Sequence, residues 1–379
     1  MISRLCRDRL NIPAAQSLPT RFATEKPLTR FQVKSSKNGY SQPGTAFHPG
    51  KDRILPTLLS SVPIPLFPAI LGTPLVIPYY HMVSDEEVPH VKHLYRYRDI
   101  RQFTKDLDFF LAHYEPVTLD DLLQHLDGNR SLPKRCFLLT FDDGFREMHD
   151  VVAPLLKAKG VPATFFLTTG FIDNVDMAHH CKFSLLVEHL AQISSPNIKA
   201  GLQQIFAENR VVRNSIELQL LSIRYSQRYL ATEIARVCEY DFGHYLAARQ
   251  PYLNSDQIRS LLKQGFSIGA HSVDHPLYAD LSLKEQTRQT VESIRFLVKH
   301  FELDHRVFAF PHSDAGVREE FFKEMRDKRQ LEVSFGTAGM RRHFFQWNLE
   351  RFSMENSSLP AAQIVRMNYL RGLRWRMFA

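Results

Sequence analysis

An α/β fold built on a parallel sheet is predicted by three features of this sequence. Residues 136–144, Cys-Phe-Leu-Leu-Thr-Phe-Asp-Asp-Gly, begin with six uncharged residues and stop abruptly in two carboxylates and a glycine. Such a run predicts a strand buried on both faces. A helical pattern over about 150–159, closed by Gly160, leads to a second apolar run at 163–169, and strand, helix, strand within about 35 residues makes a βαβ unit with parallel strands. Short apolar runs then recur at 266–270, 307–310, 333–335 and 349–354.

The 379 residues suffice for one large α/β domain with an insertion, at an ordinary 44% apolar and 23% charged. The net charge of +8 is local: residues 1–50 hold eight Lys/Arg against two acids, which leaves the remainder nearly neutral. No nucleic-acid partner is expected from so weak a field, and peripheral membrane contact falls to the basic leader or the basic tail. Residues 1–52, basic and rich in Pro, Ser and Gly, are expected to be a disordered leader without the continuous apolar core of a secretory signal. Residues 54–78 are apolar but carry six prolines, which excludes an uninterrupted spanning helix.

The barrel-forming domain is placed at 53–360. Leu75–Ile77 begins a strand into Tyr79-Tyr80-His81, and Phe103, Leu107, Phe110 and Leu111 mark an amphipathic helix over 100–113. Thr118 caps a short helix, with Asp121 three residues on. Residues 173–250 interrupt the α/β rhythm with helices at 183–193, 198–208 and 215–246, a helical insertion placed either as a roof over the site or as a packing decoration. The framework resumes with a helix from Ser255, its expected N-cap, to Lys263, and a helix over 282–300 with Glu285 at the capping-box position. Residues 361–379 form a basic tail, expected as a helix on the barrel exterior.

Chemistry is expected where buried strands end in polar groups. Successive strand residues face opposite ways, so Asp142 and Asp143 serve one site only if Gly144 ends the strand and gathers both at its edge. His271 and His275, four apart after the 266–270 strand, share one face if the segment turns helically. Two imidazoles and a carboxylate make a three-ligand set of the catalytic kind, which leaves a position for water. Each motif alone is common in a chain with seventeen histidines; at two buried strand ends they reinforce each other.

Thr140-Phe141-Asp142-Asp143-Gly144 and His271-Ser272-Val273-Asp274-His275-Pro276 resemble the first two motifs of the metal-dependent polysaccharide deacetylases, carbohydrate esterase family four. The resemblance implies a distorted (β/α) barrel and removal of acetyl groups, most readily N-acetyl, from an acetylated carbohydrate. Asp143, His271 and His275 would hold a divalent metal, usually zinc, with Asp142 as the base. The third motif is altered to Phe308-Ala309-Phe310-Pro311-His312, so that Pro311 and His312 are candidates for substrate or oxyanion contact and the usual arginine is missing there. The late Leu-x-His is absent; Tyr80-His81-Met82-Val83-Ser84-Asp85 is similar to the early segment of the permuted exopolysaccharide deacetylases, which makes His81 the expected acid, with His312 and His343 in reserve. Arg351 resembles the arginine that orients the base, and Asp274 is either a partner of the metal loop or a solvated acid. The alternatives are an O-acetyl esterase or small-molecule amidase on the same site, and an inert carbohydrate-binding relative.

Overall fold

The computed structural model describes residues 63–378 apart from 69–71, 194, 342, 344 and 356. The leader expected over 1–52 lies outside the described residues. In chain order the strands are β1 Leu75–Val76, β2 Pro78–Tyr80, β3 Glu115–Pro116, β4 Cys136–Phe137, β5 Leu139–Phe141 and β6 Ala163–Leu167. They continue as β7 Ser267–Ala270, β8 Val307–Ala309, β9 Val333–Gly336, β10 Asn348–Glu350 and β11 Phe352–Ser353. Eight of them form one all-parallel sheet in the order β10-β9-β8-β7-β6-β5-β2-β11.

The two end strands of that ladder are consecutive in the chain, separated by Arg351 alone. Arg351 N donates to Gly336 O at 3.2 Å on one side, and Phe352 N donates to Ile77 O at 3.1 Å on the other. One extended segment therefore bonds both flanks and closes the sheet into the distorted barrel. Closure removes the exposed edges that an open sheet would present. All strands being parallel, their carboxyl ends share one rim, where sites in such folds collect.

The 136–141 run is not one strand: Leu138 breaks it, and β4 belongs with β1 and β3 to a separate three-stranded sheet beneath the barrel strand β5. The 75–80 segment is divided in the same way, between β1 and β2. The N-cap of helix Ser255–Lys263 is Asn254, not Ser255, because its side chain pairs reciprocally with Gln257 in a capping box. Ser282 does cap the helix Leu283–Phe301, but Glu285 binds Arg288 instead of completing a box.

The insertion carries its own small core of Phe183, Leu186, Leu202, Phe206, Leu220 and Ile234. Its helices run His179–Gln192, Pro196–Glu208, Ile216–Leu221, Leu230–Val237 and Phe242–Arg249, so the expected 215–246 helix is three helices. The tail is the helix Ala361–Phe378; Ile364, Val365 and Tyr369 are buried in the main core, and Tyr369 stacks on Phe67 at 5.0 Å. Trp375, further along the same helix, stays exposed. No helix among the described residues is long and apolar enough to cross a membrane.

Gly269 shows how tightly the barrel interior is filled. A Cβ there would meet Phe166 Cε1 at 2.5 Å and Val307 Cγ2 at 2.9 Å. Gly269→Ala is expected to cost about 1–3 kcal/mol by overpacking, read as a lower denaturant midpoint with unchanged slope.

Candidate metal centre at the carboxyl rim

Asp143, His271 and His275 meet just past β5 and β7, with one ligand atom from each within 4.8 Å of the others and all three side chains buried. His275 Nε2 lies 3.0 Å and His271 Nε2 3.5 Å from Asp143 Oδ1. His271 Nδ1 bonds to the carbonyl of Ala309 at 2.8 Å; since a carbonyl only accepts, that nitrogen carries the hydrogen and Nε2 keeps its lone pair for an ion. Asp143 Oδ1 is buried and receives no hydrogen bond among the described residues. A bare carboxylate oxygen faced by two imidazole nitrogens is a donor set that fits a divalent cation.

The backbone that gathers these ligands is not helical. Asp143 (φ +77), Gly144 (φ +83), Ser272 (φ +69) and His275 (φ +62) all occupy the left-handed region. The histidines converge through two left-handed residues rather than by helical spacing, and Ser272 Oγ accepts from His275 N at 3.0 Å to hold the loop. Strand β5 already ends at Phe141, and the turn begins at Asp143 rather than at Gly144 alone. Backbone of this kind costs about 1–3 kcal/mol per non-glycine residue and persists only where the surroundings enforce it.

Asp142 stands beside this set without joining it. Arg351 clamps it from both nitrogens, Nη1 to Oδ1 at 2.6 Å and Nη2 to Oδ2 at 2.8 Å, and also bonds Thr140 Oγ1 and the Gly336 carbonyl at 3.2 Å each. Burial alone would raise the Asp142 pKa; the charge and hydrogen bonds of the Arg351 guanidinium, together with the nearby His271 and His81, outweigh it and hold the carboxyl below its usual range. The arginine is fully buried over the faces of Tyr79 and Phe166.

His81, past β2, is held by Glu355, past β11. His81 Nδ1 and Glu355 Oε2 are 2.6 Å apart, and Glu355 Oε1 accepts from the backbone N–H groups of His81 and Met82 at 2.9 Å each. Burial pulls the His81 pKa down, but the charge and hydrogen bond of Glu355, with Asp143 and Asp142 behind, raise it to about 9.

The sequence pattern of the polysaccharide deacetylase family matches residues 129–327, just over half of the chain. The chain belongs to the polysaccharide deacetylase family. Among curated relatives of this polysaccharide deacetylase family member, the poly-β-1,6-N-acetyl-D-glucosamine N-deacetylase of Escherichia coli strain K12 is 28% identical over 136 residues, 35% of this chain; the protein of that name in Escherichia coli O157:H7 matches equally. The match spans only 18% of those proteins' length. Among solved structures, the Streptococcus pyogenes deacetylase PplD in complex with acetate aligns over 79% of this chain and 97% of its own, at 15% identity and TM-score 0.49. IcaB from Ammonifex degensii aligns over 77% and 96%, at 16% identity and TM-score 0.48.

Several site residues of this family member are invisible to motif reading. Glu355 is 274 positions from His81; its one signal is an acid directly past the last strand. Asp274 is no solvated acid: it accepts from Tyr225 Oη at 2.6 Å and from Gln289 Nε2 at 2.5 Å, while Gln289 Oε1 accepts from the Val273 and Asp274 backbone. Tyr225 and the His179-His180 pair both come from the insertion, and His180 packs on His275 with ring centroids 4.9 Å apart. The insertion therefore touches the loop that carries His271 and His275. His312 lies against His275 at 4.5 Å, and burial, aided by the charge of His275, holds its pKa well below the usual range, which leaves it unprotonated at neutral pH. His343 is also lowered, by burial, and lies 3.9 Å from Asp314 rather than beside His81.

Proposed function

We propose that this chain is a metal-dependent hydrolase that removes N-acetyl groups from a carbohydrate containing N-acetylglucosamine. The observation that carries this reading is the three-ligand set Asp143–His271–His275 with an arginine-clamped carboxylate, Asp142, next to it in sequence and outside it in role. The name of the Escherichia coli relatives supplies the substrate class. A divalent cation held by Asp143, His271 and His275, of which zinc suits the donor set best, would supply Lewis acidity and would lower the pKa of a water from about 16 to about 7.

The chain's own residues do the rest. Asp142, kept ionised by Arg351, takes a proton from the attacking water at a carboxylate oxygen whose position the guanidinium fixes. His81 is protonated at neutral pH, its Nδ1–H held by Glu355, so that Nε2–H is the proton to deliver to the departing amine. The backbone N–H of His312, after Pro311, is assigned to the oxyanion of the acyl carbon. Tyr79 and Tyr95, with ring centroids 5.4 and 4.9 Å from His81, form the wall beside the acid.

Acetate release tests this reading. N-acetylglucosamine oligomers are expected to be turned over, with release abolished by a chelator and restored by zinc. Release from O-acetylated sugars or small acetamides, with none from the oligomers, transfers the site to an esterase or amidase. No release from any of the three, with the cation bound, makes the chain an inert relative.

A further inference from the structure

A second group of metal-binding side chains lies on the insertion side of the rim. His180, from the first turn of the helix His179–Gln192, and His312, past β8, both pack against His275. Their ring centroids stand 4.9 and 4.5 Å from that of His275 and 5.7 Å from each other. One ring nitrogen from each of the three lies within 4.8 Å of the other two. Zinc–imidazole bonds of about 2.0–2.1 Å separate nitrogens by about 3.4 Å in a tetrahedron, so side-chain rotations of modest size close the set.

Two nitrogens in the group have nothing to bond. His275 is only 5% exposed, and its Nδ1 is buried with no hydrogen-bond partner among the described residues; His180 Nδ1 is buried in the same condition. Buried polar atoms without a partner lose water without replacement, and an ion is one of the things that can supply it. Nothing in the assigned machinery uses them: His275 already presents Nε2 to Asp143. Three imidazoles without a carboxylate select zinc, copper or nickel over magnesium or calcium.

We propose that His180, His275 and His312 form a second divalent-cation site, for transition ions that favour imidazole, and that it competes with the Asp143–His271 set for the imidazole of His275. A neutral imidazole has one nitrogen lone pair to give. When Nδ1 of His275 takes an ion, Nε2 carries the hydrogen and leaves the first ion with two protein ligands. Filling the second site therefore weakens the first, and the insertion, through His180, sets how readily this happens. The competition follows from the shared ligand, whatever bond the first site cleaves.

Zinc and cobalt(II) titrations of the metal-free full-length chain, read by equilibrium dialysis and by the cobalt absorption spectrum, test this. Wild type is expected to show a tight class, then a weaker one whose filling changes the spectrum of the first ion. His180→Ala is expected to lose the weaker class and keep the tight one. Asp143→Ala, and separately His271→Ala, are expected to lose the tight class and keep the weaker one, so either variant that folds by circular dichroism carries the test. A single class in wild type, or a weaker class unchanged in His180→Ala, overturns the proposal. Metal stoichiometry reports on it even if no acetylated substrate is turned over.

Discussion

Asp142→Asn is expected to keep its bound cation and to lower kcat by about 10²–10⁴-fold, the range that general-base catalysis supplies. The substitution keeps the size of the side chain but removes its ability to accept a proton, because an amide oxygen is far less basic than a carboxylate. It also removes the charge that pairs with the buried Arg351, so a loss of stability accompanies the loss of rate. Asp143, His271 and His275 are untouched, so metal content reads near wild type while acetate release collapses. Normal turnover would remove Asp142 from the role of base. Loss of the ion along with turnover would make it a ligand instead. The partner substitution gives a different result. Arg351 is fully buried and Asp142 is 2% exposed, so Arg351→Met strands a carboxylate in the barrel interior. Breaking a buried pair from one side typically costs about 3–5 kcal/mol, and the Asp142 pKa then rises because the largest charge opposing burial is gone. In wild type the folded pKa is depressed, so the pair's contribution is complete above the unfolded carboxylate pKa of about 3.9 and is lost as pH falls through the lower folded value. The stability deficit of Arg351→Met is accordingly expected to be largest near neutral pH and to shrink as the pH falls and the stranded carboxyl takes up a proton.

What the sequence disclosed was what is encoded locally. Asp142-Asp143-Gly144 and His271-x-x-x-His275 are short segments at the ends of apolar strands, and strand ends in parallel α/β folds are where chemistry gathers. Their convergence was legible; the manner of it was not. Helical spacing suggested one face for the two histidines, whereas His271 and His275 converge through left-handed backbone at Ser272 and His275, which no periodicity announces. Barrel closure was hidden for a related reason. A segment of six residues bonds β9 with its first half and β2 with its second, and strands of two or three residues carry too few side chains for a period-2 signal. Glu355, Gln289 and Tyr225 escaped because a single polar residue far away in sequence has no pattern at all. His179-His180 is a doublet at the start of an insertion, and only the packing of that insertion against the rim gives it a role. The family resemblance supplied Arg351 and His81; the packing supplied the reason for each.

Glu355→Gln is expected to move the alkaline limb of kcat/KM to lower pH while leaving the fold intact. The raised pKa of His81, about 9, is a balance in which burial lowers and the Glu355 charge raises. A group so raised is protonated through neutral pH, and activity that needs it as an acid falls as pH climbs through that pKa. The substituted amide keeps an oxygen that accepts from the His81 and Met82 backbone N–H groups, so local structure survives. It has no charge, so burial dominates and the His81 pKa drops. At pH 8 the imidazole then changes from mostly protonated to mostly neutral, and kcat/KM is expected to fall about 10-fold or less at that pH, with much smaller loss at pH 6. The same balance sets a stability term: the raised His81 pKa stabilises the fold fully below the unfolded value of about 6.5, and that contribution disappears as pH rises through the folded value. His81→Ala, by contrast, is expected to lose rate at every pH and to show no histidine limb. An unchanged limb in Glu355→Gln would mean that another group titrates there, and one retained in His81→Ala would return the acid to an unassigned side chain.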